Sequence, residues 1–222
     1  MNIDIEYIRK NKNNVNWKVI SGYPYLSEEF IEEFSDFVFW DRISTYQNLS
    51  EFFIEKYADK VGWCEVCAFQ KLSEEFIREH IQEIYWGIIS CNQNLSEEFV
   101  REFKDKINWY TPNIYNSLSE NFIREMREYV CWDNISMKVS CDTFSEEFIE
   151  EFQNKLNWKD IVRWNEISDD FIIKFSSNID WVYFSGFYEK VSENFVIRMC
   201  DYIRYDKLYK NVWIYKFLSF RV

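Results

Sequence analysis

The sequence predicts an all-α chain folded as a solenoid of about nine 23-residue repeats, each a long helix followed by a short α or 3-10 helix. Three observations lead there. Tryptophan recurs at a fixed interval, a helix-start signal recurs ahead of it, and the 222 residues include only four Gly and two Pro, too few for a strand-rich fold.

Trp17, Trp40, Trp63, Trp86, Trp109 and Trp132 lie 23 residues apart; Trp158 follows after 26 and Trp181 after a further 23. Ser27, Ser50, Ser73, Ser96, Ser119, Ser145 and Ser168 each stand 13 residues before one of these tryptophans. Asp4 takes that place before Trp17, and Ser192 stands 13 residues before Tyr205. The extra residues fall between repeats, where a loop absorbs them.

Each column has a physical reading. The Ser is an N-cap whose hydroxyl accepts an orphan backbone N–H. The acidic residues after it, as in Glu28-Glu29, meet the positive end of the helix dipole. Phe stands three residues after each Ser, and apolar residues follow at plus four, plus seven and plus eleven, as in Ile31, Phe34 and Val38. That stripe predicts a helix of about ten residues. Glu74 to Arg78, Glu97 to Arg101 and Glu120 to Arg124 add i,i+4 pairs. The second element starts at the Trp, capped by Asn16, Asn108, Asn157 or Asp180, with apolar residues every third position. A polar loop such as Gln47-Asn48 or Gln93-Asn94 then leads to the next Ser.

A leucine-rich-repeat-like α/β coil is the alternative, because its period can also be 23. It requires a steady apolar residue five after the Trp. That column reads Gly22, Thr45, Ala68, Cys91, Ile114, Met137, Arg163 and Gly186, which does not describe a strand.

Residues 1–222 read as one solenoid domain, with 1–25 as an N-terminal capping repeat, 26–206 as the array and 207–222 as a C-terminal cap. Residues 1–25 carry +2 and residues 203–222 carry +4, leaving −18 for the middle of a chain whose net charge is −12. That balance argues against nucleic acid as a partner. No apolar signal core opens the chain, and no run of about 18 apolar residues spans a membrane. The expected location is the cytoplasm, with reduced thiols.

The phrase Asn94-Leu95-Ser96-Glu97-Glu98-Phe99-Val100-Arg101-Glu102-Phe103, followed by Ile107-Asn108-Trp109, resembles tandem repeats in uncharacterised proteins of large amoeba-infecting DNA viruses. The resemblance covers nearly the whole chain. It implies a host-cell setting and an interaction role, and it brings no catalytic residue. The two-helix unit is also similar in kind to leucine-rich-variant α solenoids.

Candidate chemistry is sparse. Trp63-Cys64-Glu65-Val66-Cys67 has the spacing of a redox or half-zinc motif, and Cys91 lies in the next repeat's equivalent element. A fourth ligand is missing, and Cys67 stands in the column of Ser21, Ser44 and Ser90, so small buried thiols are the expectation. Cys131, Cys141 and Cys200 have no partner spacing. His80, the one histidine, replaces the repeat aromatic of Phe34 and Phe103 and is expected in the core. No Gly-rich phosphate loop exists. Accordingly no catalytic residue, metal or cofactor is expected.

Stacking would align Glu28, Glu51, Glu74, Glu97, Glu120, Glu146, Asp169 and Glu193 as an acidic edge, the candidate surface for a basic protein partner. The bland reading of that edge is a solvated, dipole-matched rim. The expected function is a non-enzymatic protein-interaction scaffold with a partner of unknown identity. The alternative is an assembly component that self-associates or touches a membrane through Trp213, Tyr215, Phe217 and Phe220.

Overall fold

The repeat serines cap helices as their spacing predicts. Ser27, Ser50, Ser73, Ser96, Ser119, Ser145 and Ser168 each accept, through Oγ, the amide of the Phe three residues on, and Asp4 accepts that of Tyr7. The structure, a computed structural model, describes residues 4–137, 144–187, 193–199 and 202. Among them every regular element is a helix, so the leucine-rich-repeat-like alternative lacks its strand.

The chain forms two compact units, Met1–Asn108 and Trp109–Val222. In the first the order is α1 (Ile5–Asn11), α2 (Trp17–Ser21), α3 (Glu28–Glu33), α4 (Trp40–Tyr46), α5 (Glu51–Lys56), α6 (Trp63–Phe69), α7 (Glu74–Glu79), α8 (Trp86–Asn92) and α9 (Glu97–Glu102). In the second, a 3-10 helix (Pro112–Ser117) precedes α10 (Glu120–Glu125), α11 (Trp132–Ser136), α12 (Glu146–Glu151), α13 (Trp158–Trp164) and α14 (Asp169–Lys174). A 3-10 turn (Ser176–Asn178), α15 (Trp181–Phe187) and α16 (Glu193–Arg198) complete it. Within the first unit the Trp helices α2, α4, α6 and α8 stack one on the next.

The capped helix is shorter than its apolar stripe implies. It has six residues and ends at the second aromatic, where Phe34, Tyr57, Phe103 and Phe152 have φ between −119° and −108° with ψ of 21° to 32°. One further turn follows, closed by amides such as those of Phe37 and Val38 on the Phe34 carbonyl. Two side chains explain the break. Trp17, Trp40, Trp63, Trp158 and Trp181 donate through Nε1 to the carbonyl five residues earlier, which a continuous helix would need as an acceptor. The amide just before the next Trp is spent on the preceding repeat: Phe39 donates to Ser21 Oγ, Gly62 to Ser44 Oγ and Asn108 to Ser90 Oγ. The Trp helix is therefore the longer partner in several repeats, with seven residues in α4, α6 and α8.

The core is built from two columns and an aromatic triad. Ile31, Ile54, Val100, Ile123 and Ile149 on the capped helices, with Ile43, Val66, Ile89 and Ile135 on the Trp helices, are 0% exposed. Each fully buried aliphatic side chain contributes about 1.5–3 kcal/mol. Each Trp leans on the next repeat's aromatics: Trp40 lies 4.8 Å from Tyr57 and Trp86 lies 4.9 Å from Phe103, ring centre to ring centre. Tilted pairs of this kind add about 0.5–1.5 kcal/mol beyond burial, which accounts for the aromatic richness.

One repeat departs from the pattern for a covalent reason. The third residue after the Trp elsewhere closes the first helical turn, as when Ile43 donates to the Phe39 carbonyl at 3.0 Å. Pro112 holds that place after Trp109 and has no N–H to give, so the element begins three residues late as a 3-10 helix with Pro112 in its first turn. No helix starts at Trp109 after Asn108, whereas Asn16, Asn157 and Asp180 cap theirs.

Candidate interaction surface

The sequence-predicted acidic edge is engaged in stacking. Glu28 accepts the backbone amide of Ser50 at 2.5 Å and Ser50 Oγ at 3.2 Å. Glu51 takes the amide and hydroxyl of Ser73, Glu74 those of Ser96, and Glu120 those of Ser145. Glu146 accepts the Ser168 amide at 2.6 Å. Each of these carboxylates therefore fastens the N-cap of the following repeat. Glu97, Asp169 and Glu193 open their helices at the same position.

A second ladder lies where the sequence reads as a polar loop. Gln47, Gln70 and Gln93 each use one side-chain amide to satisfy three backbone groups. Gln70 Nε2 donates to the carbonyls of Ser44 and Gln47, while its Oε1 accepts the amide of Leu49. Gln47 makes the same three bonds to Ser21, Tyr23 and Leu26, and Gln93 makes them to Cys67, Gln70 and Leu72. Gln47 and Gln70 are buried, so the column is internal scaffolding rather than loop.

The capped-helix face carries a third set of contacts between repeats. Arg9 meets Glu33 at 2.6 Å, Lys56 meets Glu32 at 2.5 Å, Arg78 meets Glu102 at 2.9 Å and Arg124 meets Glu151 at 2.6 Å. The expected i,i+4 contacts of Arg78 with Glu74 and Arg124 with Glu120 are longer, at 3.7 and 3.5 Å. Hydrogen bonding to Arg9 holds the Glu33 carboxyl below its ordinary range. These pairs are solvent-facing, so water and salt screen them and each adds little to stability.

Among the described residues, Cys64, Cys67 and Cys91 do not come together as a metal-holding group. Cys64 is exposed and Cys67 is buried on α6, and Cys91 lies partly covered on α8. Burial pushes the Cys67 thiol up, opposed by the backbone amide of Tyr85, which it accepts in place of the serine found in other repeats. Among the described residues no group of three His, Cys, Asp or Glu side chains is placed to hold a metal ion. Cys141 and Cys200 lie outside the described residues, as does the segment 207–222.

His80 sits in the aromatic triad, 4.3 Å from Phe76 and 4.8 Å from Trp63. Its Nε2 lies 2.6 Å from Glu55 Oε2, but no aligned N–H···O bond forms there. Packed against those rings, its side chain is 12% exposed.

Exposed aromatics mark several places, among them Phe52 on the capped helix α5, at 79%, and the outer side of the Trp helices in the first unit. Tyr46 is 55% exposed and Phe69 is 61% exposed at equivalent positions of α4 and α6. A groove of about 530 Å³ runs beside Tyr46, lined by Pro24, Tyr25, Leu26 and Asn48. Another of about 270 Å³ runs beside Phe69, lined in part by Ala68, Lys71, Asn92 and Asn94. Tyr25 is 91% exposed with φ of 67°, a left-handed backbone that costs a non-glycine residue about 1–2 kcal/mol. Its bare ring returns nothing to the fold. By sequence Tyr46 falls on the apolar every-third-residue stripe of its Trp helix; in the structure it is exposed, as Phe69 is at the equivalent place.

Comparison with protein-family models, with characterised proteins and with solved structures finds no match to this chain. Among the described residues no helix is long and apolar enough to cross a membrane.

Proposed function

We propose that the chain is a helical solenoid of about nine repeats that serves as a non-enzymatic protein-interaction scaffold. The observation that carries this reading is a division of labour within the repeat. The recurring polar residues (Ser caps, first-turn Glu, buried Gln) satisfy one another between repeats, as in Glu28 with Ser50 and Gln70 with Ser44. Among the residues that differ from repeat to repeat, Tyr46 and Phe69 stand exposed on the Trp helices and Phe52 on a capped helix. Extended arrays use such variable faces for recognition because the frame is held by the invariant columns. The resemblance to viral tandem repeats supports a setting in the cytoplasm of an infected host.

The test is affinity capture from the source cells with the intact chain, followed by the Tyr46→Ser, Phe69→Ser double variant. The expected result is a protein partner retained at moderate salt and lost with the variant. Recovery of no protein partner at low and at moderate salt contradicts the reading.

A further inference from the structure

We propose that His80 is a proton-operated latch: with its ring charged it supplies the cation that the junction between α5 and α7 otherwise lacks, and pairs with Glu55. The latch belongs to the frame and does not depend on which partner the array takes.

The ion pairs of the neighbouring junctions show what is missing. The residue five beyond one cap meets the residue six beyond the next: Arg9 with Glu33, Glu32 with Lys56, Arg78 with Glu102, Arg124 with Glu151 and Glu150 with Lys174. Each joins one cation to one anion. Between α5 and α7 the same two places hold Glu55 and Glu79, both acidic. A second exchange accompanies the first. Ten residues beyond their caps, Lys60, Lys106 and Lys155 lie over the rings of Trp40, Trp86 and Trp132. Glu83 holds that place in the repeat of α7. Both cations are therefore absent where His80 replaces the aromatic of Phe34, Tyr57 and Phe103.

Geometry makes the contact depend on charge. His80 Nε2 is buried and lies 2.6 Å from Glu55 Oε2, off the line of its N–H. A neutral ring gains no hydrogen bond from that placement and keeps a buried polar atom unpaired. A charged ring gains, because coulombic attraction depends on distance rather than alignment. The cations of α5 and α7 are turned elsewhere: Lys56 to Glu32, Lys60 to Asp36 and the Trp40 ring, and Arg78 to Glu102. On α6, Cys64 is exposed and Glu65 lies against Gly62. Glu79 and Glu83, on either side of His80 in the chain, add further negative charge to this repeat. Imidazole charges within the range of about pH 8 to pH 5, so the stabilisation is present at the acid end and is lost as pH rises. Glu55 keeps 62% of its side chain exposed, so the effect is screened and modest.

The experiment is thermal melting of the intact chain between about pH 8 and pH 5.5, a range in which ordinary carboxylates stay ionised. It compares the wild type with His80→Phe, Glu55→Gln and the double variant. Phenylalanine holds this place at Phe34, Phe103 and Phe152, so His80→Phe keeps the ring packing. On acidification the melting temperature of the wild type relative to His80→Phe is expected to rise by about 2–4 °C. The same comparison made in the Glu55→Gln background is expected to stay within about 1 °C. A wild-type margin that stays flat or falls overturns the proposal. An equal rise in both backgrounds overturns it too, because the charge then acts without Glu55. A second measurement needs no variant: nuclear magnetic resonance follows the ring of His80, the one histidine of the chain, and the Glu55 carboxyl carbon over the same range. The two signals moving together supports the latch. A ring that does not titrate, or one that titrates and leaves the Glu55 carboxyl unmoved, overturns it.

Discussion

Gln70 donates through Nε2 to the carbonyl of Ser44 at 2.7 Å, a buried hydrogen bond that reaches back 26 residues and ties one repeat to the one before. The same side chain also serves the Gln47 carbonyl and the Leu49 amide. Gln70→Leu keeps the volume and strands three backbone groups in a closed interior. The expected cost is about 2–4 kcal/mol in urea denaturation, from about 1–3 kcal/mol per unsatisfied group with partial relaxation. A loss under about 0.5 kcal/mol would mean that water replaces the ladder.

Ser44 and Tyr115 perform one task from different positions. Ser44 Oγ accepts the Gly62 amide at 3.1 Å, and Tyr115 Oη accepts the Cys131 amide at 2.7 Å while donating to the Trp109 carbonyl. Ser44→Ala is expected to cost about 1–2 kcal/mol and Tyr115→Phe about 2–3 kcal/mol, because the tyrosine leaves two groups unpaired. Chemical denaturation of both variants gives the comparison. A neutral Tyr115→Phe would show that the 3-10 element does not substitute for the serine.

The two cysteines of α6 differ in access and in ionisation. Cys64 is exposed; Cys67 is buried, and that burial raises its thiol above the ordinary range. Iodoacetamide at neutral pH should label Cys64 in the folded chain and reach Cys67 only after unfolding. Peptide mass mapping checks this, and equal labelling rates would contradict the packing of α6.

Asp180 supplies a pH dependence with a definite sign. Its carboxylate is held below its ordinary range, chiefly by the hydrogen bond to Lys159 and then by the Tyr183 amide that it caps. A group depressed in the folded state contributes stability above its unfolded value, near 3.9, and loses it as pH falls through the folded value. The difference in melting temperature between the wild-type chain and Asp180→Asn should therefore be flat above about pH 5 and shrink below about pH 4. A difference that persists unchanged to about pH 2 would contradict the assignment.

Much of this architecture is written in local signals, and the part that is not has one cause. Ser27, Phe30 and Ile31 announce their helix through capping and periodicity, interactions that close within a few residues. The length of that helix is set at Phe34 and Phe39, by Trp40 Nε1 on the Ser35 carbonyl and by the Phe39 amide on Ser21. The second of these belongs to the preceding repeat, and no local pattern encodes it. The same holds for Gln70 and Glu51, polar residues that read as loop and rim when their repeat is considered alone. A signal was available in the columns: Gln recurs at 47, 70 and 93 while its neighbour changes from Asn48 to Lys71 to Asn94. Likewise Glu51 keeps the first acidic place while Phe52 takes the second. Positions fixed across an array belong to its frame, and the proposed recognition surface draws on exposed positions that drift, among them Tyr46, Phe52, Phe69 and Asn92.

That separation of frame from recognition is the central claim, and paired variants test it in one capture experiment. Tyr46→Ser/Phe69→Ser alters the Trp-helix face, while Glu29→Gln/Glu98→Gln alters exposed acidic positions outside the stacking contacts. The account predicts that the first pair abolishes partner capture and the second preserves it, with both proteins folded by circular dichroism. Capture lost with the acidic pair and kept with the aromatic pair would contradict it.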